Sequence, residues 1–411
     1  MSERPRLRML DAFPVEQIGR RLIALRDPAG FAEHIAVLPI GLLDLVSLFD
    51  GEHSVAQIRE ILRARHGEAP STEQIGDLVD SLDEAGFLAS NRFEARRRGI
   101  EAAFLRSQVR PAAHAGGAYA GEGPALAAQI DGFFAHAEGP GMPADRPAAA
   151  GPLPALRGLI APHIDFHRGG PTYAWAYREL LERADADLFV VLGTCHAGMA
   201  DPFAVTLKPY ATPLGPVPVD HDFYEGLRRR YGHDLLACET AHRSEHSIEF
   251  QAVMLRHLLG ARREISILPV LASFLHEAVW RRGDPERDRR VPAFIDALLA
   301  SMAASPRKVC LIAGVDLAHI GPRFGDPEPN TAASLDAIAT ADLAMLDAVT
   351  AGDPTGFYTA VAHDGDARRI CGLSPIYTFL RALPGARGRL IQYRQWPDPE
   401  GAVTFCGAAF P

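Results

Sequence analysis

The sequence predicts an α/β protein: a three-layer domain with a central sheet flanked by helices, preceded by a small helical, winged-helix-like domain. Three observations carry this expectation. Beyond residue 155, short apolar runs alternate with longer stretches of amphipathic helical spacing. Polar residues gather just after those runs, where ligands bind in open α/β sheets. Ahead of residue 90, helix-start and helix-stop signals follow one another closely. A chain of 411 residues exceeds one ordinary core, so residues 1–100 are expected to form a small domain with its connector, and residues 105–411 the large α/β domain.

In the first part, Pro39 to Phe49 is apolar at helical spacing and stops at Asp50-Gly51. Ser54 caps a second helix running to about His66, and Ser71-Thr72-Glu73-Gln74 is a capping box opening a third helix that ends at Gly86. That third helix carries Glu73, Asp77, Asp80, Asp83 and Glu84 and no basic residue. It would repel phosphate, so the domain is expected to face protein or peptide rather than DNA. The arginines between 91 and 109 mark a connecting helix with a solvated face, and the Ala/Gly/Pro-rich stretch from Ala135 to Pro154 reads as an irregular loop inside the large domain.

In the large domain, Leu156 to Ala161, Leu188 to Leu192, Ile265 to Val270 and Val309 to Ala313 are the predicted buried strands. Thr172 to Arg183, Asp220 to Tyr231 and Ser247 to Leu259 are predicted helices between them. No stretch approaches the ~18 uninterrupted apolar residues of a membrane helix. The start, Met1 to Phe13, lacks the apolar core of a secretory signal, so a cytoplasmic location is expected. Five scattered cysteines without a CxxC pair argue against a disulfide framework or zinc ribbon, and a net charge of −9 offers nucleic acid no global attraction. No GxSxG elbow, P-loop or dinucleotide fingerprint is present.

Three histidines stand at strand ends: His163, His196 and His319, the last with Asp316 three residues before it. One such histidine is ordinarily a hydrogen-bonded loop residue, but repetition points to a metal or acid/base site. Asp316 is a candidate ligand or an orienting partner of His319. Cys371, just ahead of a predicted helix, is either a thiolate ligand or a buried structural cysteine. His246 and Glu249 lie one turn apart at a helix start, where Glu249 is either a cap or a site residue.

The segment from Leu25 to Leu88, with Leu48-Phe49-Asp50-Gly51 and Gly86-Phe87-Leu88, resembles the PqqD-like peptide-binding fold. Residues 110 to 411 resemble the Memo family, called AmmeMemoRadiSam system protein B in prokaryotes. The resemblance rests on Gly116-Gly117-Ala118-Tyr119, Ile160-Ala161-Pro162-His163, Val191-Leu192-Gly193-Thr194-Cys195-His196, Tyr210-Ala211-Thr212-Pro213-Leu214-Gly215, Glu245-His246-Ser247-Ile248-Glu249, Asp316-Leu317-Ala318-His319 and Ile370-Cys371-Gly372, in that order. It implies a fold similar to the class III extradiol (LigB-like) dioxygenases, with His163, His196 and Cys371 as metal ligands. It also implies His319 as general base with Asp316 beside it; His246 and Glu249, and Asp165 as a group the family pattern lacks, are the expected second layer around the ligands. His163-Ile164-Asp165-Phe166 stands where the family often has His-Ala-Gly-Tyr, and Ala197 where a second histidine often follows, so the pocket lining is this chain's own.

The function this implies is an Fe(II)-dependent oxygenase-like reaction on a small chelating substrate, with His319 moving the substrate proton. A thiolate ligand shifts preference toward Cu(I) or Zn. The alternatives are a non-catalytic copper- or iron-binding protein, or a peptide- or protein-binding module of an AmmeMemoRadiSam system. The family name implies radical-SAM and AMMECR-type partners; no nucleic acid and no membrane are expected.

Overall fold

The computed structural model describes residues 4–17, 19–32, 34–142, 155–260 and 262–411, in two compact units: Met1–Arg106 with Pro322–Pro327, and Ser107–Gly321 with Glu328–Pro411. Among the described residues no helix is long and apolar enough to cross a membrane.

The helical signals of the first unit come from side chains that cap their own backbone. Ser54 accepts from the Gln57 amide while Gln57 reaches back to Ser54, opening α2 (Val55–His66), which Gly67 ends at φ +77°. Ser71 and Gln74 do the same for α3 (Thr72–Glu84). Ile58 and Leu62 of α2 meet Ile75, Val79 and Leu82 of α3 in a core closed by Phe49, Phe87 and Leu88. The predicted first helix is shorter than Pro39 to Phe49: a 3-10 turn, Ile40–Leu42, leads into α1 (Leu43–Ser47). The connector is α4 (Asn91–Arg106). Sequence patterning misses a three-stranded antiparallel sheet, β1 (Asp11–Gln17), β2 (Arg20–Arg26) and β3 (Ala36–Pro39). The reason is visible in its burial: β1 is half-exposed throughout, and β2 buries Ile23, Ala24 and Leu25 in a row, so neither shows period-two alternation.

The second unit opens with α5 (Gly123–Ala135); residues 143–154 of the expected irregular loop lie outside the described residues. The predicted strands form the centre of an eight-stranded sheet: β4 (Gly158–Ala161), β5 (Leu188–Thr194), β7 (Ser266–Ala272) and β8 (Val309–Gly314). They are parallel in the order β4-β8-β5-β7, and every residue of β4, β5 and β7 is buried, as a sheet covered on both faces requires. Around them α6 (Phe166–Arg183), α7 (His221–Tyr231), α8 (His246–Leu258), α10 (Arg290–Ala304) and α13 (Leu373–Ala382) supply helices; α9 (Leu275–Trp280), α11 (Ala332–Ala351) and α12 (Pro354–Ala362) complete the set. α6 starts before the predicted Thr172 because Asp165 caps it; its Gly169 and Gly170 are close-packing positions, where a Cβ would meet Ile164 at 2.5 Å and Phe133 at 2.4 Å.

The sheet edges are antiparallel, and no apolar run in the sequence marks them. β6 (Phe203–Val205) pairs with β7, and β11 (Ala402–Phe410) pairs with β4, β9 (Asp316–Ile320) and β10 (Arg389–Trp396). β11 is buried along its whole length but rich in Ala, Gly, Cys and Thr, so it lacks the bulky apolar run that marks a buried strand.

This order positions the site. β8 lies between β4 and β5, so the ends of β4 and β5 are two strand spacings apart, about 9–10 Å. Side chains following them can therefore meet across the end of β8. Two glycines let α8 approach the same end: a Cβ on Gly193 would meet Ser247 Oγ at 2.5 Å, and one on Gly314 the Ser247 carbonyl at 2.5 Å. Gly314→Ala is expected to cost about 1–3 kcal/mol by overpacking, measurable by denaturant unfolding, because the nearest obstacle is helix backbone. A change below about 0.5 kcal/mol would show that α8 shifts freely.

Candidate metal centre

His163 follows β4 and is buried. Its Nδ1 lies 2.9 Å from the Gly314 carbonyl, which can only accept, so Nδ1 carries hydrogen and the ring's other nitrogen is left for the site. That Nε2 lies 3.1 Å from Cys371 Sγ and 3.7 Å from Asp316 Oδ2.

His196 follows β5 and reaches the same sulfur from the other side, with Nε2 3.2 Å from Cys371 Sγ. Its Nδ1 donates to Glu245, 2.9 Å from Oε1, and its backbone amide donates to Glu245 Oε2 at 2.9 Å. A carboxylate fixing the far nitrogen of an imidazole is the usual arrangement behind a metal-ligating histidine. Sequence reasoning does not single out Glu245; the only available signal is its place beside His246 at the start of α8.

Cys371 is held by its backbone: its amide donates to Leu317 O (3.0 Å), its carbonyl accepts from Thr194 Oγ1 (3.1 Å), and the Gly372 amide donates to Asp316 O (2.9 Å). Gly372 permits this approach, since a Cβ there would meet Val315 Cβ at 2.6 Å. Burial would push the Cys371 thiol up, but His163 and His196 outweigh it and hold the group well below the ordinary thiol range, as a thiolate. Burial likewise opposes charge on His163, and the Cys371 and Asp316 anions outweigh it, raising its pKa to about 9. His196 is raised well above its ordinary value against its burial, by Glu245 and Cys371. Cys195, next to His196 in sequence, is the opposite case: burial and Glu245 push its thiol up to about 12.

His246, first residue of α8, stacks on His196 with ring centroids 4.5 Å apart, and His163, His196 and His246 each bring a ring nitrogen within 4.8 Å of the others. Burial and the neighbouring His196 hold it well below the ordinary histidine pKa, hence neutral.

The remaining candidates fall in different places. Asp316 Oδ1 accepts from the backbone amides of His163 (2.9 Å) and Ile164 (3.1 Å), so this carboxylate fixes the loop after β4; burial raises its pKa despite His163. His319 lies three residues along β9, half-buried, with Nδ1 3.1 Å from Leu317 O. Asp165 caps α6, accepting from the Arg168 amide and side chain (3.1 and 2.7 Å). Glu249 is neither a cap nor directed at the ligands. It is fully buried against Arg110, accepts from Tyr119 Oη, and takes the His114 amide at 3.0 Å. The cap of α8 is Glu245, which accepts from the Ser247 amide at 3.0 Å. Arg110 in turn donates to the carbonyls of His242 (2.9 Å) and Glu245 (2.5 Å), securing the turn that delivers His246.

Comparison with known proteins bears on the same part of the chain. Residues 110–404 match the family model described as Memo-like protein. The chain belongs to the Memo family. Similar relatives are a MEMO1 family protein of Aquifex aeolicus, 26% identical over 99% of this chain and 100% of its own, and one of Thermus thermophilus, 27% identical over 83% and 93%. A third, from Methanothermobacter thermautotrophicus, is 28% identical over 71% of this chain and 95% of its own. The family match starts at Arg110, the residue whose guanidinium is buried behind the site.

Proposed function

We propose that this Memo-family protein binds one transition-metal ion through His163, His196 and Cys371. The observation that supports it is the disposition of donors: a thiolate with an imidazole Nε2 at 3.1 Å on one side and another at 3.2 Å on the other, each ring's far nitrogen engaged by an acceptor. The set fits the chemistry of such an ion, since two imidazoles and one anionic sulfur suit iron, copper or zinc, and binding would release the protons that the two rings carry in its absence. Three protein ligands leave positions for substrate. When bound, the ion supplies Lewis-acid chemistry and, as iron or copper, one-electron redox chemistry.

For a reaction, the proton handling falls to His319 and Asp316, three residues apart in β9. The proposed reaction is oxygenase-like, dependent on Fe(II), with a small chelating substrate. His319 accepts the substrate's proton, and Asp316, 3.7 Å from His163 Nε2, keeps the loop after β4 in place. A second reading, Cu(I) binding without catalysis, is favoured by the soft thiolate.

Both are tested on full-length protein prepared without oxygen and reconstituted with Fe(II) or Cu(I). One ion per chain is expected, and protein that retains neither ion would overturn metal binding. With Fe(II) and a chelating catechol-type probe, oxygen uptake is expected in the wild type and lost in His319→Ala without loss of iron. Absence of uptake at full iron loading would rule against the oxygenase reading for this substrate class and favour the Cu(I) reading.

A further inference from the structure

We infer that His246 is an alternative third ligand to Cys371, so that His163 and His196 hold an ion either with the thiolate or in an all-imidazole set. The inference rests on the metal-binding reading above and extends it to a residue outside that triad.

Three observations support it. His163, His196 and His246 form a cluster in their own right, one ring nitrogen of each within 4.8 Å of the others. The His246 ring lies nearly parallel to His196, 20° between planes, and 5.1 Å from the His163 ring. Glu245 Oε1 takes His196 Nδ1 at 2.9 Å and stands 3.4 Å from His246 Nδ1. The same carboxylate oxygen thus faces the δ nitrogens of both rings, bonded to His196 and 3.4 Å from His246, which leaves the far side of each ring to the site.

His246 is also not a side chain that drifts into the site. It opens α8, whose approach to the sheet is set by Gly193 and Gly314, and its ring is wedged between His114 (5.5 Å) and Phe250 (5.3 Å). Simple aromatic packing would need no nitrogen, and this difference can be tested.

The chemical consequence is selectivity. The thiolate set favours soft Cu(I), whereas three imidazoles form a site of the kind that holds Zn(II) and comparable divalent ions. Loss of the sulfur should then change which ions bind rather than empty the site.

Co(II) is the probe, used with the full chain under anaerobic conditions. The wild type is expected to take one Co(II) with a thiolate-to-cobalt charge-transfer band. Cys371→Ala should lose that band but still saturate at one Co(II), seen by its ligand-field absorption, and should lose Cu(I) binding more severely. Cys371→Ala/His246→Phe, which keeps an aromatic ring in the stack, should lose Co(II) altogether. His246→Phe alone should retain the charge-transfer band, which also shows that the ring substitution is accommodated. In Cys371→Ala, bound Zn(II) should shield His246 from carbethoxylation, a readout that does not depend on the double variant folding. The inference is overturned if Cys371→Ala binds no Co(II), if the double variant binds it as well as Cys371→Ala, or if Zn(II) leaves His246 modification unchanged. A wild type that binds no Co(II), Fe(II) or Cu(I) overturns the underlying metal-binding reading instead.

Discussion

Arg110→Leu is expected to lower folding stability by about 3–5 kcal/mol, the cost of leaving an interior charge without its partner. Arg110 and Glu249 are both fully buried and paired with each other. Glu249 would keep only the Tyr119 hydroxyl and the amides of Ala113 and His114. The carbonyls of His242 and Glu245 would lose their donor as well. Arg110→Lys should recover little, because one ammonium cannot reproduce a planar fork directed at four acceptors, the carbonyls of Pro111, His242 and Glu245 and the Glu249 carboxylate. Arg110→Leu/Glu249→Leu should regain a large share of the loss, since removing both charges abolishes the desolvation penalty. Denaturant unfolding of the three variants checks this; a loss below about 1 kcal/mol in Arg110→Leu would mean that the remaining donors and entering water satisfy Glu249 without its partner.

That pair also shows where sequence reasoning stops. Glu249 sits at helical spacing from His246, which suits a cap, a site residue or a buried ion pair equally, and the arginine that decides among them is 139 positions away. Glu245 is illegible for a similar reason: its partner His196 lies 49 positions earlier, and the local Ser247 amide it caps asks for a capping acceptor rather than for a carboxylate. The parallel strands, by contrast, are legible as unbroken apolar runs because both faces are covered. The capping boxes at Ser54 and Ser71 are legible because their partners are three residues on. His163, His196 and Cys371 are singled out by position at strand ends and a helix start, and by resemblance. Their convergence depends on β8 lying between β4 and β5, a long-range order that spacing does not encode. The edge strands escape notice because small residues in β11 and mixed ones in β10 bury area without a periodic signature.

His196 is the residue on which the metal reading depends most, because it belongs both to the set with Cys371 and to the set with His246. His196→Ala is therefore expected to weaken metal binding beyond about 100-fold, more than loss of an orienting partner does. Its side chain is about 30% exposed, so the fold should survive and the loss can be read as a ligand effect. Glu245→Gln probes the layer behind it. The carboxylate accepts from the Nδ1 of His196, its backbone amide and the Ser247 amide, and a glutamine offers one acceptor oxygen and turns a donor toward groups that also donate. Affinity is expected to fall about 10–100-fold, the range for removing such a partner, with stoichiometry still one ion per chain. Competition titrations against a chelator of known affinity, with Fe(II) and with Cu(I), separate the two variants. The decisive pattern is the order His196→Ala below Glu245→Gln below wild type. Equal affinities for all three would place the ion away from His196 and overturn both ligand sets that contain it.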